Sequence, residues 1–226
     1  MADKQYLYSE IFDSIQGEGQ YTGVPTAWLR FFLCNLQCDG FGQDQPTKPE
    51  MCFTGGEPLM KTGQQCSMDM MKKWIDERDF PRGVTYETNG TKKIEAEGFI
   101  EFWNEYRDVW GSELFISCSP KLFNVSGEKT EKAIKPEIVE TYLQFTNRGQ
   151  LKFVVNGTDD CWKELEQTIE AFRDHHVEWP VWIMPVGATL EGQELVAADV
   201  ATEAFKRGYN VSARVHTYLW GNAIGV

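Results

Sequence analysis

The stretch Met51-Cys-Phe-Thr-Gly-Gly-Glu-Pro58, MCFTGGEP, indicates the fold because it joins a buried strand to a tight turn. Its first residues form a short apolar run, as expected for a strand that is buried on both faces. Gly55 and Gly56 then let a ligand approach the main chain closely, because neither carries a Cβ atom. Pro58 fixes the turn and Glu57 supplies a carboxylate. An ordinary Gly-Pro turn is the alternative when this stretch is taken alone.

Outward from this stretch, extended runs alternate with helical patterns. The predicted strands, besides 51–53, are Thr26–Leu33, Val84–Thr88, Leu114–Cys118, Leu151–Val155, Val181–Met184 and Val211–Val215. Apolar residues at helical spacing predict helices near 67–75, 99–106, 138–149, 162–172 and 195–208, with Ser67 capping the first. This alternation, without a G-x-G-x-x-G loop, favours one α/β domain over 1–226 that forms a complete or partial barrel. In such barrels the functional residues gather where strands end.

Composition excludes some classes of function. The 226 residues carry a net charge of −12, which argues against a nucleic-acid partner, since that needs a basic surface. No apolar run reaches the roughly 20 residues of a membrane span, so no membrane partner is expected. The first residues lack the apolar core of a signal peptide, so we expect a cytoplasmic protein. The six cysteines are then expected to be thiols or metal ligands rather than disulfides.

Two of these cysteines lie in the stretch Phe32–Gln43, FLCNLQCDGFGQ. Cys34 and Cys38 are four residues apart, directly after a predicted strand and on the same edge as the TGGEP turn. Thiolates are suitable donors for iron–sulfur clusters. The C-x-x-x-C spacing therefore predicts the start of a cluster-binding loop, and two unrelated thiols are the alternative.

Several motifs occur in order from Tyr8 to the C-terminus: EIFDSIQGEG at Glu10–Gly19, C-x-x-x-C, TGGEPL, YETNGT, SPK and the late VHTYLWG. Together they resemble the 7-carboxy-7-deazaguanine synthase (QueE) family of the radical S-adenosylmethionine superfamily. The resemblance implies a partial parallel (β/α) barrel that binds a [4Fe–4S] cluster, S-adenosylmethionine and Mg²⁺. It implies a lyase that contracts the ring of 6-carboxy-5,6,7,8-tetrahydropterin to 7-carboxy-7-deazaguanine, a queuosine precursor, with loss of ammonia. It also implies a reductant such as flavodoxin and a homodimer, which the aromatic helix Phe99–Tyr106 would also favour.

The resemblance assigns roles to matching residues. The first two cluster ligands are Cys34 and Cys38, and the substrate-binding residues are Ile15, Gln16, Gly17, Arg30, Thr54 and Val226. The cofactor-binding residues are Gly56, Glu57, Ser119, Pro120, Lys121, Met184, Pro185, Val186 and Gly187. Arg30 is expected to bind the substrate carboxylate, because a planar guanidinium matches a planar anion. His216 either lines the site or is a satisfied core histidine.

The sequence departs from this family in one place. The family loop reads C-x-x-x-C-x-x-C, followed by a threonine that holds magnesium, whereas Phe41 stands at the third cysteine position here and no matching threonine follows. We therefore expect no three-thiolate cluster in this chain as it stands. Either the sequence is a shortened version of a longer active protein, or it is a natural relative that has lost the cluster. A cluster-less protein that binds pterin or S-adenosylmethionine is accordingly the second functional hypothesis.

The same segment, Asp39–Glu50, should contain the first crossover helix of the barrel. It has two glycines, two prolines and no apolar period, so we predict that this helix is absent. Its absence would uncover apolar side chains of the adjoining strands, among them Trp28 and Phe53. We expect Cys52 to lie too deep in the barrel to replace the missing ligand.

Overall fold

The computed structural model describes residues 8–22, 24–31, 50–77, 80–81, 83–110 and 113–221. Within them the strands are β1 Tyr8–Ile15, β2 Pro25–Phe31, β3 Glu50–Thr54, β4 Gly83–Thr88, β5 Glu113–Cys118, β6 Gly149–Val155, β7 Val181–Pro185 and β8 Asn210–Val211. The helices are α1 Lys61–Asp76, α2 Phe99–Trp110, α3 Phe123–Ser126, α4 Thr130–Ala133, α5 Pro136–Tyr142, α6 Asp159–Asp174, α7 Leu190–Glu194, α8 Ala197–Lys206 and α9 Val215–Trp220. A 3-10 turn covers Gly19–Tyr21.

These strands form one sheet in which each strand lies beside its neighbour in sequence, from β1 to β8. β1 runs antiparallel to β2, and all later neighbours are parallel. No hydrogen-bonded pairing joins β1 to β8 in the described part of the chain, so the sheet is open. The predicted partial parallel barrel is thereby confirmed. The prediction that the first crossover helix is absent concerns residues outside those described.

One face of the sheet packs against the helices through aromatic side chains. The ring of Phe53 lies 5.1 Å from that of Tyr86, which in turn lies 5.7 Å from the ring of Trp103 on α2. Phe99, Trp103 and Tyr106 of α2 are all buried within this chain. They are core residues, so they give no support to a subunit interface, and the expected homodimer rests on the family resemblance alone.

The expectation that Trp28 and Phe53 are uncovered is wrong. Phe53 is 0% exposed and Trp28 is 8% exposed. The two side chains also lie on opposite faces of the sheet: Phe53 packs towards the helices, whereas Trp28 stacks on Phe12 at 5.7 Å in a separate cluster with Cys52. Neither face therefore depends on one covering helix.

Several predicted boundaries also differ. Ser67 does not cap α1 but lies within it, where its buried hydroxyl donates to the Gln64 carbonyl and accepts from the Tyr86 hydroxyl. The strand predicted at 211–215 ends at Val211, because the Val215 amide donates to the Gly17 carbonyl instead of continuing the sheet. The helix predicted over 195–208 begins at Ala197, and the preceding Leu195 is 82% exposed.

Candidate active site

The sheet face opposite the helices carries a row of polar side chains across the strands β2 to β6. Paired residues of neighbouring strands point to the same side. Arg30 pairs with Thr54, and Ser117 pairs with Glu87 on one side and Gln150 on the other. The Thr54 hydroxyl donates to a Glu87 carboxylate oxygen at 3.0 Å. This hydrogen bond connects the pair on β2 and β3 to the three residues on β4, β5 and β6. The polar row consists of Arg30, Thr54, Glu87, Ser117, Gln150 and Lys152.

The loop after β1 crosses over this polar row. The Gln16 amide donates to Glu87 at 3.4 Å, and its oxygen accepts from the Glu18 main chain at 3.0 Å. Glu18 then lies 2.5 Å from the ammonium of Lys152, and the Gln20 amide donates to Gln150 at 2.9 Å. The loop is thus fixed to β4 and β6 through the polar row itself.

The segment 212–215, which follows β8, forms further polar contacts with the same loop. The Gly17 carbonyl accepts from the Val215 amide at 2.9 Å, and the Gly19 amide donates to the Ser212 hydroxyl at 2.5 Å. Arg214 donates to Glu18 at 2.8 Å. These contacts connect the two ends of the open sheet at its rim, where no strand pairing does so among the described residues.

His216, the next residue, also contacts this loop, at Gly17. A Cβ atom at Gly17 would lie only 2.0 Å from its Nδ1 atom, so the imidazole rests directly against the glycine main chain. Burial lowers the pKa of His216, and the nearby cation Arg214 adds to this effect while Glu18 opposes it. Of the two interpretations left open for His216, the structure favours a position lining the site.

Four charges, from Glu18, Glu87, Lys152 and Arg214, meet beneath the loop. Burial raises the pKa of Glu18, but the charges and hydrogen bonds of Lys152 and Arg214 outweigh it, so the pKa of this carboxyl lies well below its ordinary value. Burial lowers the pKa of Lys152, but Glu18 and Glu87 reverse this, so its pKa lies above its ordinary value. Glu18 and Lys152 are therefore both charged near neutral pH.

The TGGEP turn lies beside the Arg30 end of the polar row. Gly55 and Gly56 both have positive φ angles, +69° and +53°, which side chains other than glycine rarely adopt. A Cβ atom at Gly55 would overlap the Arg30 side chain, so the turn also needs glycine to let Arg30 pass. Gly56 is exposed, so its main chain is accessible from solvent.

Glu57, in contrast, points into the protein. Its carboxylate accepts from the Leu59 amide at 3.0 Å, the Thr88 hydroxyl at 2.7 Å and the Asn89 amide at 2.8 Å. Burial raises the pKa of Glu57, although these hydrogen bonds partly counter it. The carboxylate ties the end of β3 to the end of β4, so a cofactor contact at this residue falls to its main chain.

Arg30 has a carboxylate partner within the chain. Its guanidinium forms an ion pair with the buried Glu10 and lies 4.8 Å from the centre of the Phe12 ring. The side chain is 24% exposed, so one part of the group is still accessible. A guanidinium has five N–H donors, which allows it to serve Glu10 and a ligand together.

The two later predicted cofactor segments follow β5 and β7 at the same edge. Lys121 folds back so that its ammonium donates to the Ser119 carbonyl at 2.9 Å and to the Ser119 hydroxyl at 3.0 Å. Met184 and Pro185 end β7, the Val186 amide donates to the end of β6, and the Gly187 carbonyl accepts from Arg214 at 3.4 Å. Both segments therefore border the network of charges or the TGGEP turn.

The described cysteines do not supply the missing cluster ligand. Cys52, Cys66, Cys118 and Cys161 are all free and buried. Burial raises the pKa of each thiol, to about 11 for Cys66 and well above its ordinary value for Cys52. A metal ligand is a thiolate, and burial favours the neutral thiol at all four positions. No group of three or more His, Cys, Asp or Glu side chains among the described residues is arranged to hold a metal ion.

Comparison with known proteins connects this geometry to one family. No protein-family model matches the chain. The 7-carboxy-7-deazaguanine synthase of Thermoplasma acidophilum is 27% identical over 244 residues, covering 97% of this chain and 100% of that protein. The synthase of Rhodopirellula baltica is 26% identical, covering 99% and 90%. The crystal structure of QueE from Escherichia coli matches with a TM-score of 0.53 at 16% identity, covering 94% and 95%, which shows the shared fold.

The chain is related to the 7-carboxy-7-deazaguanine synthases. The resemblance found in the sequence is thereby confirmed. Of the residues that the resemblance to these synthases assigns, the structure places at the carboxyl edge of the parallel strands Arg30, Thr54, Gly56, Ser119, Pro120, Lys121, Met184, Pro185, Val186 and Gly187. Ile15 pairs with Pro25 at the other end of β2, because β1 is antiparallel. Gln16 and Gly17 follow in the loop after β1, where Gln16 contacts Glu87 and Gly17 contacts Val215. Cys34, Cys38 and Val226 lie outside the described residues.

Four charged residues of the site were not assigned from the sequence: Glu18, Glu87, Lys152 and Arg214. Each carried a signal. Glu18 and Glu87 stand inside the motifs QGEG and YETNG, and Arg214 directly precedes VH. Lys152 interrupts the apolar strand LKFVV, where a charged side chain has to find a partner.

Proposed function

We propose that this protein is a 7-carboxy-7-deazaguanine synthase-like radical S-adenosylmethionine enzyme. It converts 6-carboxy-5,6,7,8-tetrahydropterin to 7-carboxy-7-deazaguanine with loss of ammonia. The similarity of this chain to synthases across nearly its whole length supports this reaction.

The observation that carries the proposal is the difference in charge between the two ends of the site. Arg30 supplies a cation at the β2 end, whereas Glu18 and Glu87 supply carboxylates towards β4 and β6. A 6-carboxypterin has matching ends: a carboxylate on one ring, and the N–H donors of a 2-amino-4-oxopyrimidine on the other. Charge-assisted hydrogen bonds at both ends would fix the orientation of the ring between them.

The residues around the TGGEP turn suit S-adenosylmethionine. The exposed main chain of Gly56 and the segments Ser119–Lys121 and Met184–Gly187 border one rim and can bind its polar groups. A [4Fe–4S] cluster with S-adenosylmethionine, when bound, supplies the radical for the ring contraction. The donor set for that cluster is incomplete: the sequence offers Cys34 and Cys38, Phe41 occupies the third position, and the described thiols do not fit.

The proposal includes Mg²⁺, a reductant such as flavodoxin, and a homodimer, all on family resemblance. It also places the protein in the cytoplasm, which its free buried cysteines support, since thiols persist in reducing compartments. No helix in the described part of the chain is both long and apolar enough to cross a membrane.

A second function is favoured by Phe41 alone. A protein with the same pocket but without a cluster would bind pterin or S-adenosylmethionine and carry out no radical reaction. Iron and sulfide analysis after anaerobic reconstitution separates the two. About four irons per chain support the enzyme. No bound iron, together with retained pterin binding, supports the binding protein.

A further inference from the structure

Lys152 occupies an unusual position for a lysine. It lies on β6, whose neighbouring positions Leu151 and Phe153 are fully buried in the core. Its side chain is only 6% exposed, and its ammonium contacts Glu18 at 2.5 Å and Glu87 at 3.4 Å. Burying an ammonium in a central strand is costly unless it is paired, so the two carboxylates are what allow it to be there.

The four charged side chains of this network differ in their exposure to solvent. The side chains of Glu18 and Glu87 are 13% and 20% exposed, whereas those of Lys152 and Arg214 are 6% and 10% exposed. The two carboxylates are therefore the more accessible members of the network, and the side chain of Lys152 is the least accessible. A ligand at this end meets hydrogen-bond acceptors that are held by less accessible cations.

The ammonium of Lys152 contacts both carboxylates directly. Glu18 lies on the loop after β1, whereas Glu87 is the penultimate residue of β4, so the two carboxylates belong to separate elements. Arg214 donates to the Glu18 carboxylate and Thr54 to the Glu87 carboxylate, whereas Gln16 donates to the Glu87 carboxylate and accepts from the Glu18 main chain. The ammonium of Lys152 is thus a direct ionic connection between the two carboxylate groups.

We propose that Lys152 is a positioning residue for the pterin: it bridges Glu18 and Glu87 and fixes their carboxylates towards the N–H edge of the ring. This inference rests on the proposed function, because it takes the pterin as the ligand. Lys152 itself is less accessible than the carboxylates and acts through them.

A dependence on pH follows from the number of charges. Two acids, Glu18 and Glu87, face two cations, Lys152 from β6 and Arg214 from the segment before α9, with His216 nearby on α9. Removing Lys152 leaves these two partly buried acids with one cation, Arg214, in direct contact with Glu18. Burial raises the pKa of Glu18, and once Lys152 is removed only Arg214 of these two cations still lowers it. One carboxyl is expected to take up a proton in mildly acid solution and to lose its capacity as an acceptor.

The test measures binding of the fluorescent analogue 6-carboxypterin by anisotropy, with S-adenosylmethionine present, on the reconstituted protein. We expect Lys152→Met to weaken binding about tenfold or more near pH 7.5, as for loss of a hydrogen bond to a charged group. Between about pH 7.5 and 5.5 its affinity should fall roughly a further threefold or more, while the wild type changes less than about twofold. Lys163→Met, on the exposed face of α6, is the matched control and should bind like the wild type.

The outcomes separate a positioning role from a structural one. Thermal melting gives the folded fraction of each variant, and affinity is expressed per folded molecule. Wild-type affinity and a flat pH profile in folded Lys152→Met would overturn the inference. Lys152→Arg keeps the charge with a different reach, so it should bind at least about threefold more weakly with a flat pH profile, and wild-type affinity there would also contradict the inference. Failure of the wild type itself to bind the analogue would instead refute the proposed function.

Discussion

Gln64 is a buried side chain that helps to fix the position of the TGGEP turn. It is 0% exposed on α1 and makes four hydrogen bonds to main-chain groups. Its amide nitrogen donates to the Leu59 and Lys93 carbonyls at 2.6 and 2.8 Å, and its oxygen accepts from the Glu95 and Ala96 amides at 2.8 and 2.9 Å. It therefore joins the end of the turn to the loop after β4.

Gln64→Leu keeps most of the volume and removes all four hydrogen bonds. Each neutral hydrogen bond contributes about 0.5–1.5 kcal/mol net, so the sum is about 2–6 kcal/mol. Lys93 and Glu95 are exposed, which lets water satisfy some of the groups left behind. We therefore expect a loss of about 3–4 kcal/mol in the free energy of unfolding, a large part of the roughly 5–15 kcal/mol of a typical domain.

Urea unfolding followed by circular dichroism measures this loss. Gln65→Leu is the matched control on the next residue of the same helix, where the side chain makes one partly exposed hydrogen bond to Asp69. It should cost less than about 1 kcal/mol. Equal destabilisation by the two substitutions, or less than about 1 kcal/mol for Gln64→Leu, would refute the view that this amide fixes the turn.

Three further outcomes are expected. Arg30→Lys should weaken binding of 6-carboxypterin about tenfold but leave S-adenosylmethionine binding and the affinity for a pterin without the carboxylate nearly unchanged, because it loses the planar fork; equal loss for all three ligands in calorimetry would indicate a structural role. Gly17→Ala should destabilise the protein by about 1–3 kcal/mol because its Cβ meets His216, whereas Gly192→Ala, with its nearest neighbour at 3.4 Å, should not, and thermal melting decides. Because the folded pKa of Glu18 is lowered, its stabilisation is present above the ordinary value of 4.5 and lost below it; from about pH 5.5 to 3.5 the wild type should lose about 1 kcal/mol more than Glu18→Gln in urea unfolding, and parallel losses would contradict this.

The fold could be predicted from the sequence where local patterns match the sheet. Apolar runs such as Leu151–Val155 gave strands, and the helical spacing of Trp162–Phe172 gave α6. The prediction failed where long-range contacts decide. Val215 leaves the strand pattern because its amide meets the Gly17 carbonyl, and Ser67 is a buried partner of Tyr86 rather than a cap. No local pattern contains those partners.

The edge of the sheet at which the site lies could be predicted from the sequence, but the network of charged side chains within the site could not. Parallel strands place the motifs after them on one edge, so the position of Thr54 beside Arg30 followed from the alternation of elements. The pairing of Glu18 with Lys152 joins residues that are 134 apart, and only the three-dimensional arrangement of the β1 loop over β6 brings them together. Glu57 shows the converse, because a motif carboxylate that suggested a ligand contact instead accepts hydrogen bonds from the Leu59 and Asn89 main-chain amides and the Thr88 hydroxyl.

Turnover of the pterin tests the central claim most directly. The reconstituted protein is incubated without oxygen with 6-carboxy-5,6,7,8-tetrahydropterin, S-adenosylmethionine, Mg²⁺ and a chemical reductant, and the products are separated by liquid chromatography with mass detection. We expect a compound with the mass and retention time of 7-carboxy-7-deazaguanine, together with released ammonia, and neither from Cys34→Ser. Absence of this product from wild-type protein that carries a full cluster and binds both small molecules would contradict the proposed function.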